Sequence, residues 1–166
     1  EAMNIYITTG TYDFLKQIQE KNPNEQMFLM QNAEHALLLH ETEKKTIFSS
    51  PRKYEVVASN GNFQQAVFLL FSHIPVTDEG KPVFEFNLKE KQSTIEKQQG
   101  YTTFRLLRPL KGDTYIMITG WKDDQSYKQW KNSTASKLID DLNSKTTIPV
   151  LSSPSYTKLY VIPKNE

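Results

Sequence analysis

Short runs of alternating apolar and polar residues recur along this chain, separated by three stretches with helical period. In residues 4–8, Ile5 and Ile7 share one face, which predicts a strand. A turn at 9–11 follows, then a helix over 12–20 with Phe14, Leu15 and Ile18 on its buried side. Asn22-Pro23-Asn24 ends that helix. Strands are predicted at 27–31 and 36–41, joined by a reversal at 32–35. Ile47 and Phe48 form an apolar island, and 54–59 is a further strand. Asn60-Gly61-Asn62 is the strongest turn signal and marks an internal boundary.

The second half is more regular. A long apolar strand covers 66–76 and ends near Pro75. Asp78-Glu79-Gly80 opens a connection, and Pro82 suits the first turn of a helix, where no N–H is needed. Phe84, Leu88 and Ile95 recur at helical spacing, with Glu85, Glu90 and Glu96 read as a solvated face. Gly100 suits the left-handed position after that helix. Residues 102–108 alternate up to Pro109, Lys111-Gly112-Asp113 closes a hairpin, and 115–121 is its partner strand. A helix starts at Asp124 and is recapped near Ser133, with Leu138, Ile139 and Leu142 in its continuation. The last strand covers 157–162.

From residue 66 the order is β-α-β-β-α-β, the ferredoxin-like plan. The first half offers β-α-β-β and a short final strand, a partial copy. A four-stranded sheet with helices on one face leaves the other face apolar, and a second such sheet can bury it. The expected fold is therefore α+β, ferredoxin-like, of the dimeric α+β-barrel type. The N-terminal half, 3–61, completes an intramolecular barrel with a domain at 62–166, so a monomer is expected.

Composition limits the function. The 166 residues include 20 basic and 19 acidic side chains, a net charge of +1 with histidine neutral. That balance gives no electrostatic footprint for nucleic acid. With no cysteine, disulfides, thiolate metal sites and cysteine nucleophiles are excluded. No run reaches the ~18 apolar residues that span a bilayer. Glu1 and Ala2 before Met3 read as an expression remnant. A cytoplasmic setting is expected, with peripheral membrane association left open.

Few residues suggest chemistry. The three histidines, His35, His40 and His73, lack metal-ligand spacing. His73, at the end of an apolar run, is the best placed to line a pocket. There is no G-x-S-x-G elbow and no glycine-rich phosphate loop. Arg105 and Arg108 lie three apart on one strand, so they point to opposite faces. Either could meet a carboxylate through a forked contact. Trp130 shares a helical face with Tyr127 and serves either a core or a pocket.

The ordered segments RLLRP at 105–109, YIMITGW at 115–121 and SYKQWKNS at 126–133 resemble the antibiotic-biosynthesis-monooxygenase domain. With IYITTGTYDFL at 5–15, LLLHET at 37–42, SPRKYEV at 50–56 and PSYTKLYVIP at 154–163, the likeness extends to nearly the whole chain. It is closest to haem-degrading monooxygenases of the HmoB type and to the TRAP signalling family. The resemblance implies haem as both substrate and cofactor, with O2, an external electron donor and release of iron. Relatives of the IsdG type use a tryptophan that presses on the porphyrin, a histidine ten residues later that ligates iron, and an asparagine on the first strand of the domain. Those positions fall here on Trp130, Asp140 and Ser72, so two of the three depart from the pattern. The resemblance thus leaves His73 as a substitute iron ligand, Ser72 to orient bound oxygen, and Arg105 and Arg108 to meet propionates. The alternative is a non-catalytic TRAP-type protein that depends on a partner or on phosphorylation.

Overall fold

A computed structural model describes residues 2–142 and 149–164. Eight strands form one closed barrel: β1 (Asn4–Gly10), β2 (Met27–Gln31), β3 (Ala36–Thr42), β4 (Arg52–Gly61), β5 (Phe68–Pro75), β6 (Tyr101–Pro109), β7 (Thr114–Trp121) and β8 (Tyr156–Val161). Three α-helices pack outside: α1 (Tyr12–Lys21), α2 (Lys81–Glu96) and α3 (Asp124–Lys131). Around the barrel the order is β1-β3-β2-β8-β5-β7-β6-β4. Each half therefore has the same spatial order, its fourth strand beside its first, then its third, then its second. The first half lacks only the second helix, and a loop carrying buried Phe48 stands in its place.

The two seams between the halves differ. β4 pairs antiparallel with β1 from Asn4↔Glu55 to Ile7↔Arg52. It also pairs with β6 from Tyr54↔Pro109 to Gly61↔Thr103, with a bulge between Val56 and Ala58. At the other seam β2 meets β8 through Gln31↔Val161 alone. The predicted short final strand of the first half is thus ten residues long. Its polar edges hid it from a periodicity reading.

Barrel closure sorts side chains by strand period. Inward positions include Ile5, Ile7, Leu37, Leu39, Leu69, Phe71, Leu107, Ile116 and Ile118, which form the inner core. Outward positions of the second half, such as Leu70, Ile74, Phe104, Leu106, Tyr115 and Met117, pack under α2 and α3. Those of the first half, including Tyr6, Leu29 and Leu38, pack under α1 around Leu15.

Local chemistry sets the ends of the helices. The Thr11 hydroxyl accepts from the Phe14 N–H at the start of α1. Leu15 is the buried anchor of that helix, but Phe14 is 61% exposed. One position is a rotation of about 100°, so a helix seated on Leu15 and Ile18 turns Phe14 to solvent. Pro82 sits in the first turn of α2, which buries Phe84, Leu88 and Ile95. Gly100 has φ +78° but lies beyond the Lys97 cap, where its α-carbon passes close to the Ser126 side chain. Close approach, rather than helix termination, fixes that glycine.

Gly61 (φ +71°) and Gly112 (φ +85°) separate conformational strain from crowding. A methyl group on Gly61 would strike the Thr102 carbonyl, whereas one on Gly112 meets nothing within 4 Å. Gly112→Ala should cost about 1 kcal/mol, the left-handed penalty alone. Gly61→Ala should cost at least about 3 kcal/mol, because β4 and β6 must separate. Urea unfolding of both variants measures the difference.

Candidate functional site

Two regions compete for a functional role, one outside the barrel and one inside. The outer region is built by α3 and the segment after it. The Asp123 carboxylate accepts from the Ser126 N–H at 2.8 Å and starts α3. The helix then buries Tyr127 and Trp130. Trp130 is 2% exposed and stacks on Trp121 with centroids 5.4 Å apart and planes at 24°. The Trp121 indole N–H donates to the Thr119 hydroxyl at 3.1 Å. Ser133 caps the following 3-10 helix, Thr134–Leu138. Leu138, Ile139 and Leu142 are buried, and Asp140 between them is exposed.

A cleft of about 550 Å3 lies between α2 and this segment, bordered by Val83, Asn87, Glu90, Ala135, Leu138 and Leu142 among others. Its size lies within the usual ligand-pocket range. Trp130 does not line it, nor does Ser72, which is 4% exposed on the outer face of β5. Trp130 is thus a core residue in this structure. Its stack on Trp121 decides the question that its helical spacing left open.

His73 follows Ser72 and points the opposite way, into the barrel with Leu69 and Phe71. It pairs across to Ile116, an inner-core residue, whereas Ser72 pairs to Met117 of the outer core. One ligand cannot meet both Ser72 and His73 without crossing the sheet. His73 is 6% exposed and stacks on Tyr156, centroids 4.7 Å apart and planes at 4°. Its Nε2 has no hydrogen-bond partner among the described residues. Burial, then the Lys158 and Arg52 charges, lower its pKa to about 4. The other histidines are satisfied: His35 Nε2 lies 2.8 Å from the Tyr160 hydroxyl, and fully buried His40 meets Thr46 and Glu25.

The two arginines point to opposite faces, as their spacing predicts, and each is held by a carboxylate. Arg105 is buried in the barrel, with Nε donating to Glu41 at 2.7 Å and Nη2 donating to the same carboxylate at 3.2 Å. It also donates to the carbonyls of Asn60, Phe104 and Gly61, and its guanidinium lies 5.0 Å from the Phe63 ring centroid. Outside, Arg108 grips Glu85 with two bonds of 2.8 and 2.7 Å, and the Tyr115 hydroxyl donates to the same carboxylate. Glu85 therefore belongs to a partly buried cluster, not to the solvated face its neighbours suggested. Both guanidinium forks are engaged within the protein, so neither is presented to propionates.

The outer cleft does not fit haem iron. Imidazole, thiolate, thioether and phenolate are the usual axial donors. The cleft offers carboxylates, an amide, hydroxyls and an amine, from Glu90, Asp141, Asn87, Thr94 and Lys91. At Asp140, where the family resemblance requires imidazole, stands an exposed carboxylate. Among the described residues no group of three His, Asp or Glu side chains is arranged to hold a metal ion.

Comparison with known proteins places the chain. The family model described as antibiotic biosynthesis monooxygenase matches residues 70–139. The signal transduction protein TRAP of Staphylococcus aureus is 36% identical over 133 residues, 80% of each chain. The chain belongs to the TRAP family. A solved structure described as a major regulator of staphylococcal pathogenesis is 29% identical, with TM-score 0.83 over 97% of this chain and 99% of that one. LmHde, a heme-degrading enzyme from Listeria monocytogenes, is 24% identical, with TM-score 0.77 over 96% and 99% of the two chains. At that identity it shows the shared fold alone. The TRAP-family chain is thus built on a monooxygenase-type ferredoxin fold, closed here into one barrel. No helix among the described residues is long and apolar enough to cross a membrane.

What sequence reasoning missed are the partners, Glu41, Glu85 and Tyr115. Glu41 and Glu85 are distant in the chain from the arginines they serve, whereas Tyr115 stands on the partner strand of the hairpin that carries Arg108.

Glu85 and His73 both predict pH effects. The Arg108 hydrogen bonds hold the Glu85 carboxyl below its usual pKa, against the effect of burial. A depressed carboxyl stabilises the fold above its unfolded pKa, and that contribution is lost as pH falls through the folded value. Glu85→Gln should cost about 1–2 kcal/mol at neutral pH, discounted for the half-exposed Arg108, and the difference should shrink below about pH 4. For His73 the unfolded chain takes up a proton near 6.5 and the folded chain only near 4. Stability should therefore fall across that window on acidification, and His73→Phe should remove roughly 2–3 kcal/mol of that loss. Urea unfolding between pH 7 and the acid limit checks both.

Proposed function

We propose that this chain is a signalling or interaction protein of the TRAP type, which keeps the monooxygenase fold without haem-degrading catalysis. One observation carries the reading: the helical segment that would hold iron presents the exposed carboxylate of Asp140, while Trp130 is closed into the core. The unpartnered imidazole, His73, lies on the far side of the sheet. The S. aureus relative at 36% identity carries the name signal transduction protein. Signalling here means recognition by surface and cleft, with the barrel as a rigid support.

A second reading has one observation in its favour. The cleft between α2 and the segment after α3 has a volume of about 550 Å3, and a structural neighbour is described as a heme-degrading enzyme. On that reading haem is substrate and cofactor, used with O2 and an external electron donor.

A haem titration read at the Soret band, followed by addition of ascorbate in air, separates the two. The signalling reading expects no saturable Soret shift at micromolar haem and no bleaching with ascorbate. Stoichiometric binding followed by bleaching and release of iron would overturn it. Asp140→His should give a Soret band absent from the wild type, because it supplies an imidazole beside Asp141, a residue that borders the cleft.

A further inference from the structure

The barrel interior is closed by charge at one end and lined by charge at the other. At the first end Arg105 and Glu41 neutralise each other beneath Phe63. At the second end a cavity of about 230 Å3 is bordered by Thr9, His35, Arg52, His73, Lys158 and Tyr160. No acidic side chain among the described residues lines it. Its two cations come from different halves of the chain, Arg52 at the start of β4 and Lys158 on β8. Neither makes a salt bridge or side-chain hydrogen bond among the described residues, although Arg105, Arg108, Lys81 and Lys128 all find carboxylates.

His73 supplies a second, independent observation. It is 94% buried by its 6% exposure, its ring lines this cavity, and its Nε2 is unpartnered. Buried polar atoms are nearly always satisfied, so an orphaned ring nitrogen beside two unpaired cations needs a chemical reason. Beside it, the His35 Nε2 and the Tyr160 hydroxyl are linked at 2.8 Å, which orients a second pair of polar groups on the wall. A guanidinium, an ammonium and an imidazole converging on a small cavity match an acceptor-rich, negatively charged group. A volume below about 300 Å3 restricts it to a few heavy atoms.

We propose that this end of the barrel binds a small oxyanion, a phosphate or a short carboxylate, between Arg52, Lys158 and His73. The anion offsets the cation pair and accepts a hydrogen bond from the His73 ring. The site lies on the opposite face of β5 from the α2 cleft, so it stands or falls independently of the haem question.

The test is an NMR titration of the full chain with inorganic phosphate and, separately, acetate, at ionic strength held constant with sodium chloride. The His73 ring resonances should shift saturably, and the histidine should titrate at a higher pH with the anion bound than without it. Glu34 is a carboxylate that acts on this wall, through Tyr160, and it is present in both states. Arg52→Gln and Lys158→Gln, both at solvent-accessible positions, should each weaken binding about tenfold or more. His73→Phe, read through the His35 ring on the same wall, should weaken it while leaving the thermal transition at pH 7 or above intact. Saturation by phosphate alone assigns a phosphate site, and saturation by acetate alone or by both assigns a carboxylate-tolerant one. Shifts that grow linearly with either salt, or an affinity unchanged in both charge variants, would overturn the proposal.

Discussion

The pairing of β4 on both of its edges is the constraint on which the rest of the molecule depends. One edge is zipped to β1 and the other to β6, so the strand at the end of the first half is also the closing strand of the second. Without it the chain would present two open sheets, each with an apolar face and exposed edges. With it there is an inside and an outside, and every strand residue belongs to one or the other. That division separates Ser72 from His73 and Arg105 from Arg108, and it bears on function more than any single side chain does. A four-stranded plan usually reaches closure by joining a second subunit. Here the same chain supplies both sheets.

Charge is distributed according to that division. Inside, Arg105 is surrounded by a bidentate carboxylate and three backbone carbonyls, the arrangement a buried guanidinium needs if desolvation is to be offset. It ties β6 to β3 across the lumen, two strands that are not neighbours in the sheet. Outside, the Arg108–Glu85–Tyr115 cluster fixes α2 to β6 and β7 at the foot of the cleft helix. The arginine spacing was readable from strand period, and the faces follow it. The acids that hold them come from β3 and α2, which no spacing on β6 could reveal.

Much of the architecture was legible in the alternation of residues. Tyr101–Pro109 and Thr114–Trp121 form the hairpin expected from their period, and the β-α-β-β-α-β order of the second half follows from it. β4 was underestimated because its residues at the two ends are polar and become strand only through partners on both sides. Phe14 shows the limit of a helical wheel: two adjacent apolar residues cannot both face the sheet, and tertiary contact chooses Leu15. The Trp130 environment was undecidable for the same reason. A stack on Trp121, from the strand preceding its helix, removes the indole from the cleft. His73 borders a cavity, and the side of the sheet it faces was fixed by closure of the barrel.

The unequal seams have a mechanical meaning. A ring whose halves join along β4 and β6 from Tyr54↔Pro109 to Gly61↔Thr103 at one junction, and by the single rung Gln31↔Val161 at the other, behaves as a clasp. Breathing that admits solvent to the lumen costs least where fewest backbone bonds must part, so the β2–β8 junction is the natural hinge of the ring. β8, on one side of that junction, carries Lys158 and Tyr160, two walls of the inner cavity. An occupant held between β8 and β4 would act as a rivet across the weakest point of the circle.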